Sequence, residues 1–253
     1  SSRLMVLLFT DVVNSAGIKA DIGAEAYGKL VARQDRIVHH TISQTPGAHV
    51  LQDTGDGYFL AFDNVGDAIE VALRYQYRMA QEPWTHPLRA RVGLHLGQVA
   101  ALESETTGQP KVFASAIDIA ARVMSLADGG QVLMTRVVFD EARQFVREHP
   151  DVDGKRPTIR WVAHGPYLFK GSEEPMEVCE VGAEGIAPLT PPPDQEKARR
   201  HIRPGEEDTL GWRPGANRNL PSAPNWIIRK KLGDDEAVLL KTVRGVGYVL
   251  TRE

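Results

Sequence analysis

Cysteine is almost absent from this sequence, since Cys179 is the single one among 253 residues. One cysteine cannot form an intrachain disulfide framework, and it cannot build a zinc site from several thiolates. The composition therefore excludes the class of small disulfide-stabilised secreted domains. It fits a reducing cytoplasm, which is the location that we expect for this chain.

The sequence also lacks a long apolar run and an excess of charge of one sign. No stretch approaches the roughly 18 to 20 apolar residues that cross a bilayer, and the first residues lead into a short predicted strand rather than a signal-peptide core. The formal net charge is -3 and the pI is about 6.3, so nothing draws the whole chain to nucleic acid or to an anionic membrane. We expect no membrane partner.

The hydrophobic pattern predicts an α+β fold. A continuous apolar run and later alternating runs favour strands, whereas two segments with apolar residues at helical spacing favour helices. In chain order these segments are strand 4–9, helix 24–42, strands 49–52 and 58–62, helix 65–79 and strand 89–96. This order is the split βαββαβ arrangement of ferredoxin-like folds. Further helices at 115–126 and 136–146, and strands at 131–134, 167–169 and 176–181, extend this core to about residue 182.

Two aspartates mark the ends of predicted strands. Asp11 follows the first apolar run, and Asp56 lies at the tip of the Gly- and Asp-rich hairpin connection 53–57. An isolated aspartate at such a place is commonly a turn-forming or capping residue. Two carboxylates that converge on a pair of hard cations would instead suit metal-assisted phosphoryl chemistry.

Five sequence segments carry a resemblance to a known family. They are FTDVVNSAG (9–17), DTGDGYFLAF (53–62), RVGLHLGQV (91–99), IDIAARVMSLADGGQVL (117–133) and LFKGSEEPMEV (168–178). Their order and spacing resemble those of class III nucleotidyl cyclases, over about residues 3–182. The resemblance implies the class III cyclase fold, with extra strands around the ferredoxin-like core.

The resemblance implies that two divalent cations, Mg²⁺ or Mn²⁺, are the cofactors, with Asp11, Asp56 and Val12 as their ligands. The turn after the first strand would present N-H groups to phosphate oxygens. This turn comprises Val12, Val13, Asn14 and Ser15. The family commonly has glycine at position 14, and because asparagine tolerates the left-handed conformation, the turn can persist with Asn14.

Three basic residues match family positions that bind or stabilise phosphate charge. Arg91 and Lys170 would bind the triphosphate, and Arg122 would stabilise the charge that develops on the α-phosphate. Asp118 stands where the family usually has the asparagine that orients the ribose. An aspartate four residues before Arg122 is expected to form a helix-surface ion pair in the absence of ligand, and it cannot donate a hydrogen bond while ionised. We therefore predict a lower turnover than that of an asparagine-bearing homologue.

The residues that would read the base depart from the adenylate pattern. Gln52 and Lys111 stand where ATP-using family members have a lysine and an aspartate or threonine. Lysine only donates, so this pair cannot read the amino group of adenine in the usual way, and a donor at position 111 would suit a carbonyl oxygen of guanine or uracil. The register of the loop 103–110 leaves the base open, with ATP as the family default.

Assembly and domain organisation follow from the same comparison. Class III sites form between two subunits, and this chain contains both halves once, so a homodimer is the economical arrangement. The predicted domains are a cyclase catalytic domain over 1–182, a proline-rich linker over 183–225 and a tail over 226–253. The tail resembles the end of a winged-helix domain, but the preceding helices are missing, so we do not expect it to bind DNA sequence-specifically.

The leading hypothesis is thus a nucleotidyl cyclase that converts a nucleoside triphosphate to a 3',5'-cyclic nucleotide and pyrophosphate. One alternative is a cyclase with non-adenine specificity, which uses GTP or a pyrimidine triphosphate. The other alternative is a catalytically degenerate module that binds nucleotide and serves regulation. Gln52 and Lys111 motivate the first alternative, and these two residues together with Asp118 motivate the second.

Overall fold

A computed structural model describes residues 2–103, 110–113, 115–202, 240–243 and 247–250. The chain divides into two compact units, Ser1–His201 and Ile202–Glu253. No helix in these described segments has the length and apolar character that a membrane span requires.

The described residues of the first unit form five helices and nine strands. The helices are α1 (Ser15–Ile22), α2 (Ala24–Ser43), α3 (Val65–Gln81), α4 (Ser115–Leu126) and α5 (Arg136–Phe145). The strands are β1 (Ser2–Val12), β2 (Ala48–Asp53), β3 (Tyr58–Phe62), β4 (Ala90–Glu103), β5 (Pro110–Phe113), β6 (Val132–Thr135), β7 (Ile159–Phe169), β8 (Met176–Ala183) and β9 (Ala198–Arg200). The predicted α+β class and the βαββαβ element order are confirmed.

The nine strands form one sheet with the order β2-β3-β1-β4-β6-β8-β7-β9, and β5 pairs with β4 beside this path. β1 lies between β3 and β4 and is antiparallel to both of them. Three short elements, α1, β5 and β9, were not predicted. α1 follows the predicted turn 12–15, β5 follows the predicted loop 103–110, and β9 lies in the segment that was interpreted as a linker.

The side chains of β1 point alternately to the two faces of the sheet, and helices cover both of these faces. Val6 and Leu8 are buried in the large core that contains the apolar faces of α2, α3 and α5. Leu7, between them, is buried with Ala116 and Ala120 of α4. The site residues on β1 and β4 therefore lie between a thick helical layer on one face and α4 on the other.

Two glycines of β4 let α4 approach the sheet closely. A Cβ atom on Gly93 would overlap the backbone of Met124, and one on Gly97 would overlap the Cβ of Ala116. Because backbone cannot move aside as a flexible side chain can, Gly93 sets how near α4 lies to β4. This packing fixes the height of Asp118 and Arg122 above the sheet edge.

Residues beyond 182 continue to pack on the first unit, which extends to His201. β9 adds to the sheet by pairing with β7, and the hydroxyl of Tyr167 donates to the carbonyl of Pro192 at 2.8 Å. The buried carboxylate of Glu180 accepts the N-H of Leu189 at 3.1 Å. We call residues 184–201 the strap, since they return across the end of β7.

The second unit contains a two-stranded antiparallel hairpin. Its strands are β10 (Leu240–Val243) and β11 (Gly247–Leu250), paired from Leu240 with Leu250 to Val243 with Gly247. Residues 203–225 of the predicted linker and most of the predicted tail lie outside the described residues.

Candidate active site

Asp11 and Asp56 lie side by side at one end of β1 and β3. Thr10 pairs with Tyr58, so the strand register places Asp11 beside the turn that joins β2 to β3. A Cβ atom on Gly57 would lie 2.6 Å from the carbonyl oxygen of Thr10 and 3.5 Å from the Cα of Asp11. Only a glycine allows the backbone next to Asp56 to approach Asp11 this closely.

Local hydrogen bonds shape the hairpin turn that carries Asp56. The N-H of Thr54 donates to the carbonyl of Gly57 at 2.9 Å, and the N-H of Gly55 donates to Oδ1 of Asp53 at 2.7 Å. Gly55 has a φ of 96°, a conformation that favours glycine. The sequence DTGDG therefore closes a tight turn and leaves Asp56 at its tip, as the sequence predicted.

Asp11 is held by Arg91, which is its direct partner in the antiparallel pairing of β1 with β4. Nη2 of Arg91 donates to Oδ2 of Asp11 at 2.8 Å, and Nη1 donates to the carbonyl of Ser125 on α4 at 3.1 Å. Both side chains are partly buried, at 29% exposure for Asp11 and 25% for Arg91. Arg91 thus joins the predicted metal carboxylate to the end of α4.

Asp56 is held from α2 by two residues that the sequence analysis did not identify. The hydroxyl of Tyr27 donates to Oδ2 of Asp56 at 3.1 Å, and Nε2 of Gln34 donates to its main-chain carbonyl, also at 3.1 Å. Burial, followed by the charge of Asp56, raises the pKa of Tyr27 to about 12. The phenol therefore keeps its proton, and remains a donor, at neutral pH. The signal available in the sequence was the spacing of seven residues, which places both side chains on one helix face.

The predicted phosphate-binding turn leads from β1 into α1. Asn14 has φ 57° and ψ 35°, so the expected left-handed conformation is confirmed, and its carbonyl accepts the N-H of Ile18 at 3.0 Å. Val12 ends β1 opposite Ala90, while Ser15 begins α1. The N-H of Val13 donates to the carbonyl of Arg89 at 2.9 Å. In this conformation the N-H group of Val13 is therefore already hydrogen-bonded to the main chain of the protein.

Arg122 and Lys170 meet at the end of β7. Nη1 of Arg122 donates to the carbonyl of Lys170 at 3.1 Å and to Oγ of Ser172 at 3.2 Å. The predicted ion pair between Asp118 and Arg122 is wrong for this conformation, because among the described residues no ion pair involves Asp118. A carbonyl and a hydroxyl of the β7–β8 turn bind the guanidinium instead, and Asp118 stays exposed on α4.

The strap contacts Lys170 at two points. The N-H of Lys170 donates to the carbonyl of Lys197 at 2.8 Å, and its Nζ donates to Oε1 of Glu196 at 3.3 Å. The side chains of Lys170 and Glu196 are 71% and 85% exposed. The backbone of Lys170 is thus fixed by the strap and by Arg122, whereas its ammonium group lies at the surface.

The two predicted base-reading residues lie on different strands. Gln52 is exposed on β2, at the edge of the sheet, and pairs with Phe59 next to a register shift. Lys111 lies on β5 and pairs with Leu102 of β4. The side chain of Lys111 is outside the described part of the chain.

The donor set at Asp11 and Asp56 fits hard divalent cations of the Mg²⁺ type. Among the described residues there is no cluster of three or more His, Cys, Asp or Glu side chains that could enclose a metal ion. Magnesium is usually bound by one or two carboxylates, with water and substrate phosphates completing its octahedron. Two adjacent carboxylates beside the predicted phosphate-binding turn match that requirement, whereas they do not match a zinc site built from His and Cys.

Comparison with known proteins identifies the family of this chain. The sequence profile of the adenylate and guanylate cyclase catalytic domain matches residues 2–170. A protein of Rhizobium meliloti (strain 1021), provisionally named adenylate cyclase 3, is 26% identical over 209 residues, which are 79% of this chain and 32% of that protein. The chain spans between 32% and 59% of the lengths of the curated relatives that it matches first.

Two solved structures share the fold. The adenylyl cyclase CyaB from P. aeruginosa superimposes with a TM-score of 0.60 at 16% identity, over 72% of this chain and 94% of that one. The guanylyl cyclase Cya2 superimposes with a TM-score of 0.58 at 18% identity, over 76% and 98%. The profile match covers more than half of the chain, and it includes Asp11, Asp56, Arg91 and Arg122. This chain belongs to the adenylate and guanylate cyclase catalytic domain family.

Proposed function

We propose that this chain converts a nucleoside triphosphate to a 3',5'-cyclic nucleotide and pyrophosphate. In this reaction the ribose 3'-oxygen attacks the α-phosphorus and pyrophosphate leaves, so negative charge accumulates on the attacking and leaving oxygens. The observation that carries the proposal is the placement of Asp11 and Asp56 together at one end of β1 and β3. Two carboxylates at this position are the protein ligands that the phosphoryl chemistry needs.

Two divalent cations, Mg²⁺ or Mn²⁺, would be held by Asp11 and Asp56 with Val12 beside them. When bound, such cations polarise the phosphate oxygens and stabilise charge on the attacking and leaving oxygens. Arg91 holds Asp11 in the described conformation, and its charge is available to the triphosphate once a cation binds that carboxylate. Arg91 would therefore exchange a carboxylate for phosphate oxygens when substrate enters.

The remaining charge stabilisation falls to Arg122 and Lys170. Arg122 would bind oxygens of the α-phosphate, where negative charge grows in the transition state, and Lys170 would bind the departing pyrophosphate. Asp118 would accept a hydrogen bond from the ribose. All three side chains are exposed, so substrate can reach them without unfolding any part of the sheet.

A homodimer with two shared sites is the assembly that we propose. Within the described residues, no hydrogen bond or ion pair links Arg122 or Lys170 to Asp11 or Asp56. Each chain carries the aspartate pair Asp11 and Asp56 once, and it carries the basic pair Arg122 and Lys170 once. Two chains in twofold symmetry would therefore complete two equivalent sites.

The purified chain, incubated with ATP, GTP, CTP or UTP and with Mg²⁺ or Mn²⁺, tests the proposal by mass detection of cyclic products. We expect a cyclic nucleotide and pyrophosphate in equal amounts, with ATP as the family default. A product from GTP or a pyrimidine triphosphate alone would favour the non-adenine alternative that Gln52 and Lys111 suggest. Nucleotide binding without product from any triphosphate at high enzyme concentration would favour a degenerate regulatory module and contradict the proposal.

A further inference from the structure

Helix α2 bonds the hairpin residue Asp56 at its side chain and at its backbone. Tyr27 reaches the carboxylate and Gln34 reaches the carbonyl, each at 3.1 Å. The two residues lie seven positions apart, which is close to two helical turns, so they share one face of α2. Their relative exposures are 8% and 0%, and both side chains therefore approach Asp56 from the protein interior.

Gln34 connects this contact to a second helix. Its Nε2 also donates to the hydroxyl of Tyr75 on α3 at 2.9 Å, and both residues are buried. Burial of an amide lowers the stability of the fold unless the amide is hydrogen-bonded. An apolar residue could fill position 34 with a smaller desolvation penalty. The polar contacts under the hairpin therefore specify where Asp56 lies, rather than adding to the apolar core.

The hydroxyl and the ring of Tyr27 make different contacts. The ring belongs to the large core, and phenylalanine would fill that space equally well. Only the oxygen reaches the carboxylate. An aspartate side chain at the tip of a turn rotates readily, and a single donor from a helix removes that freedom.

We propose that Tyr27 is a positioning residue, whose hydroxyl holds the Asp56 carboxylate in the orientation that meets a divalent cation. This inference rests on the proposed function, because it assigns Asp56 to a cation. Partners that orient a metal ligand typically change metal affinity about 10- to 100-fold when they are removed. Tyr27→Phe should therefore weaken cation binding about tenfold, and saturating cation should restore turnover.

The chain offers a matched control. The hydroxyl of Tyr58 donates to Oδ1 of Asp35 at 2.7 Å, and this bond also joins the hairpin to α2. Tyr58→Phe therefore removes a tyrosine–aspartate bond between the same two elements without touching Asp56. A loss of general hairpin docking would affect both variants, whereas a loss of carboxylate orientation would affect only Tyr27→Phe.

The experiment measures Mn²⁺ binding to the full chain by electron paramagnetic resonance, without nucleotide, for wild type, Tyr27→Phe, Tyr58→Phe and Asp56→Asn. Thermal unfolding of each variant checks that it folds. We expect about tenfold weaker binding in Tyr27→Phe, a change below about twofold in Tyr58→Phe, and the largest loss in Asp56→Asn. In the cyclase assay, the Mn²⁺ concentration for half-maximal activity should rise in Tyr27→Phe with little change in maximal kcat.

The outcomes separate the inference from the proposed function. If Asp56→Asn binds Mn²⁺ as wild type does, the cation site itself is refuted, and the role of Tyr27 is refuted with it. If Asp56→Asn loses binding while Tyr27→Phe does not, the proposed function stands and the positioning role is overturned. Equal losses in Tyr27→Phe and Tyr58→Phe would also overturn it, because docking of the hairpin would then explain both.

Discussion

The two ends of the proposed site are held by different kinds of contact. Asp11 and Asp56 are bonded by Arg91, Tyr27 and Gln34, whose side chains come from β4 and from the buried face of α2. Arg122 and Lys170 are bonded by turn and strap groups at the surface, and the ammonium of Lys170 meets the exposed carboxylate of Glu196.

This difference has a physical consequence. Contacts from buried, packed elements fix a side chain in one orientation, whereas exposed ion pairs contribute little because water and salt compete for both charges. The carboxylate end is thus organised before substrate arrives. The basic end keeps its charges available, and we expect substrate or a second chain to order it.

The largest effect should follow from Asp56→Asn, which alters the organised end. The substitution removes one of the two carboxylates, so kcat/KM should fall about 100- to 1000-fold with every triphosphate. Steady-state product formation measures the loss. Asp53→Asn is the control, since its amide oxygen can still accept the N-H of Gly55 and the same hairpin loses the same charge. Equal losses in both variants would show that the turn, rather than a cation ligand, is responsible.

Mixing two inactive variants tests whether the two ends belong to different chains. Asp56→Asn breaks the carboxylate end and Arg122→Ala breaks the basic end, so a mixed dimer keeps one complete site. With free subunit exchange, equal amounts should regain about a quarter of wild-type activity. A mixture of Asp11→Asn with Asp56→Asn should regain nothing, because both changes damage the same end. Failure of the first mixture to recover would mean that one chain builds the whole site.

A smaller effect is expected at Asp118, on the exposed end. Asp118→Asn supplies the donor that an ionised carboxylate lacks, and one hydrogen bond corresponds to about a two- to tenfold rise in kcat. Since no ion pair joins Asp118 to Arg122 in the described structure, the gain should come from the donor and not from release of the arginine. Asp128→Asn, with the same charge change just beyond α4, should leave kcat unchanged. An unchanged or lower kcat in Asp118→Asn would contradict the prediction.

The smallest effect should come from the strap. Glu196→Gln removes the carboxylate that meets Lys170, and the KM for the triphosphate should fall about twofold, since an exposed pair is weak. The reduction should shrink at high salt, which screens such pairs. Glu173→Gln removes an equal charge from the neighbouring turn and serves as the control. A fall larger than tenfold would mean that the strap occludes Lys170 more firmly than its exposed contacts indicate.

Much of the fold was predictable because its signals are local. Alternating and helical apolar spacing located the βαββαβ elements, and the DTGDG turn located Asp56. The left-handed conformation of Asn14 agrees with the family's common glycine at this position, which asparagine can replace. The short elements α1, β5 and β9 were missed, since eight, four and three residues carry too little periodicity to distinguish them from a turn, a loop or a linker.

The sequence by itself determined the α+β element order, and it predicted which residues would carry the chemistry: two strand-end aspartates, basic residues at fixed spacing, and a proposed base-reading pair that departs from the adenylate pattern. Only the tertiary structure decided what each of them contacts. Arg91 meets Asp11 through the register of two strands, and Tyr27 meets Asp56 through the packing of α2 under the hairpin. Arg122 bonds the end of β7 instead of the aspartate one turn away. Such contacts join residues distant in the chain, and their geometry depends on strand register and helix packing, which local sequence patterns do not specify.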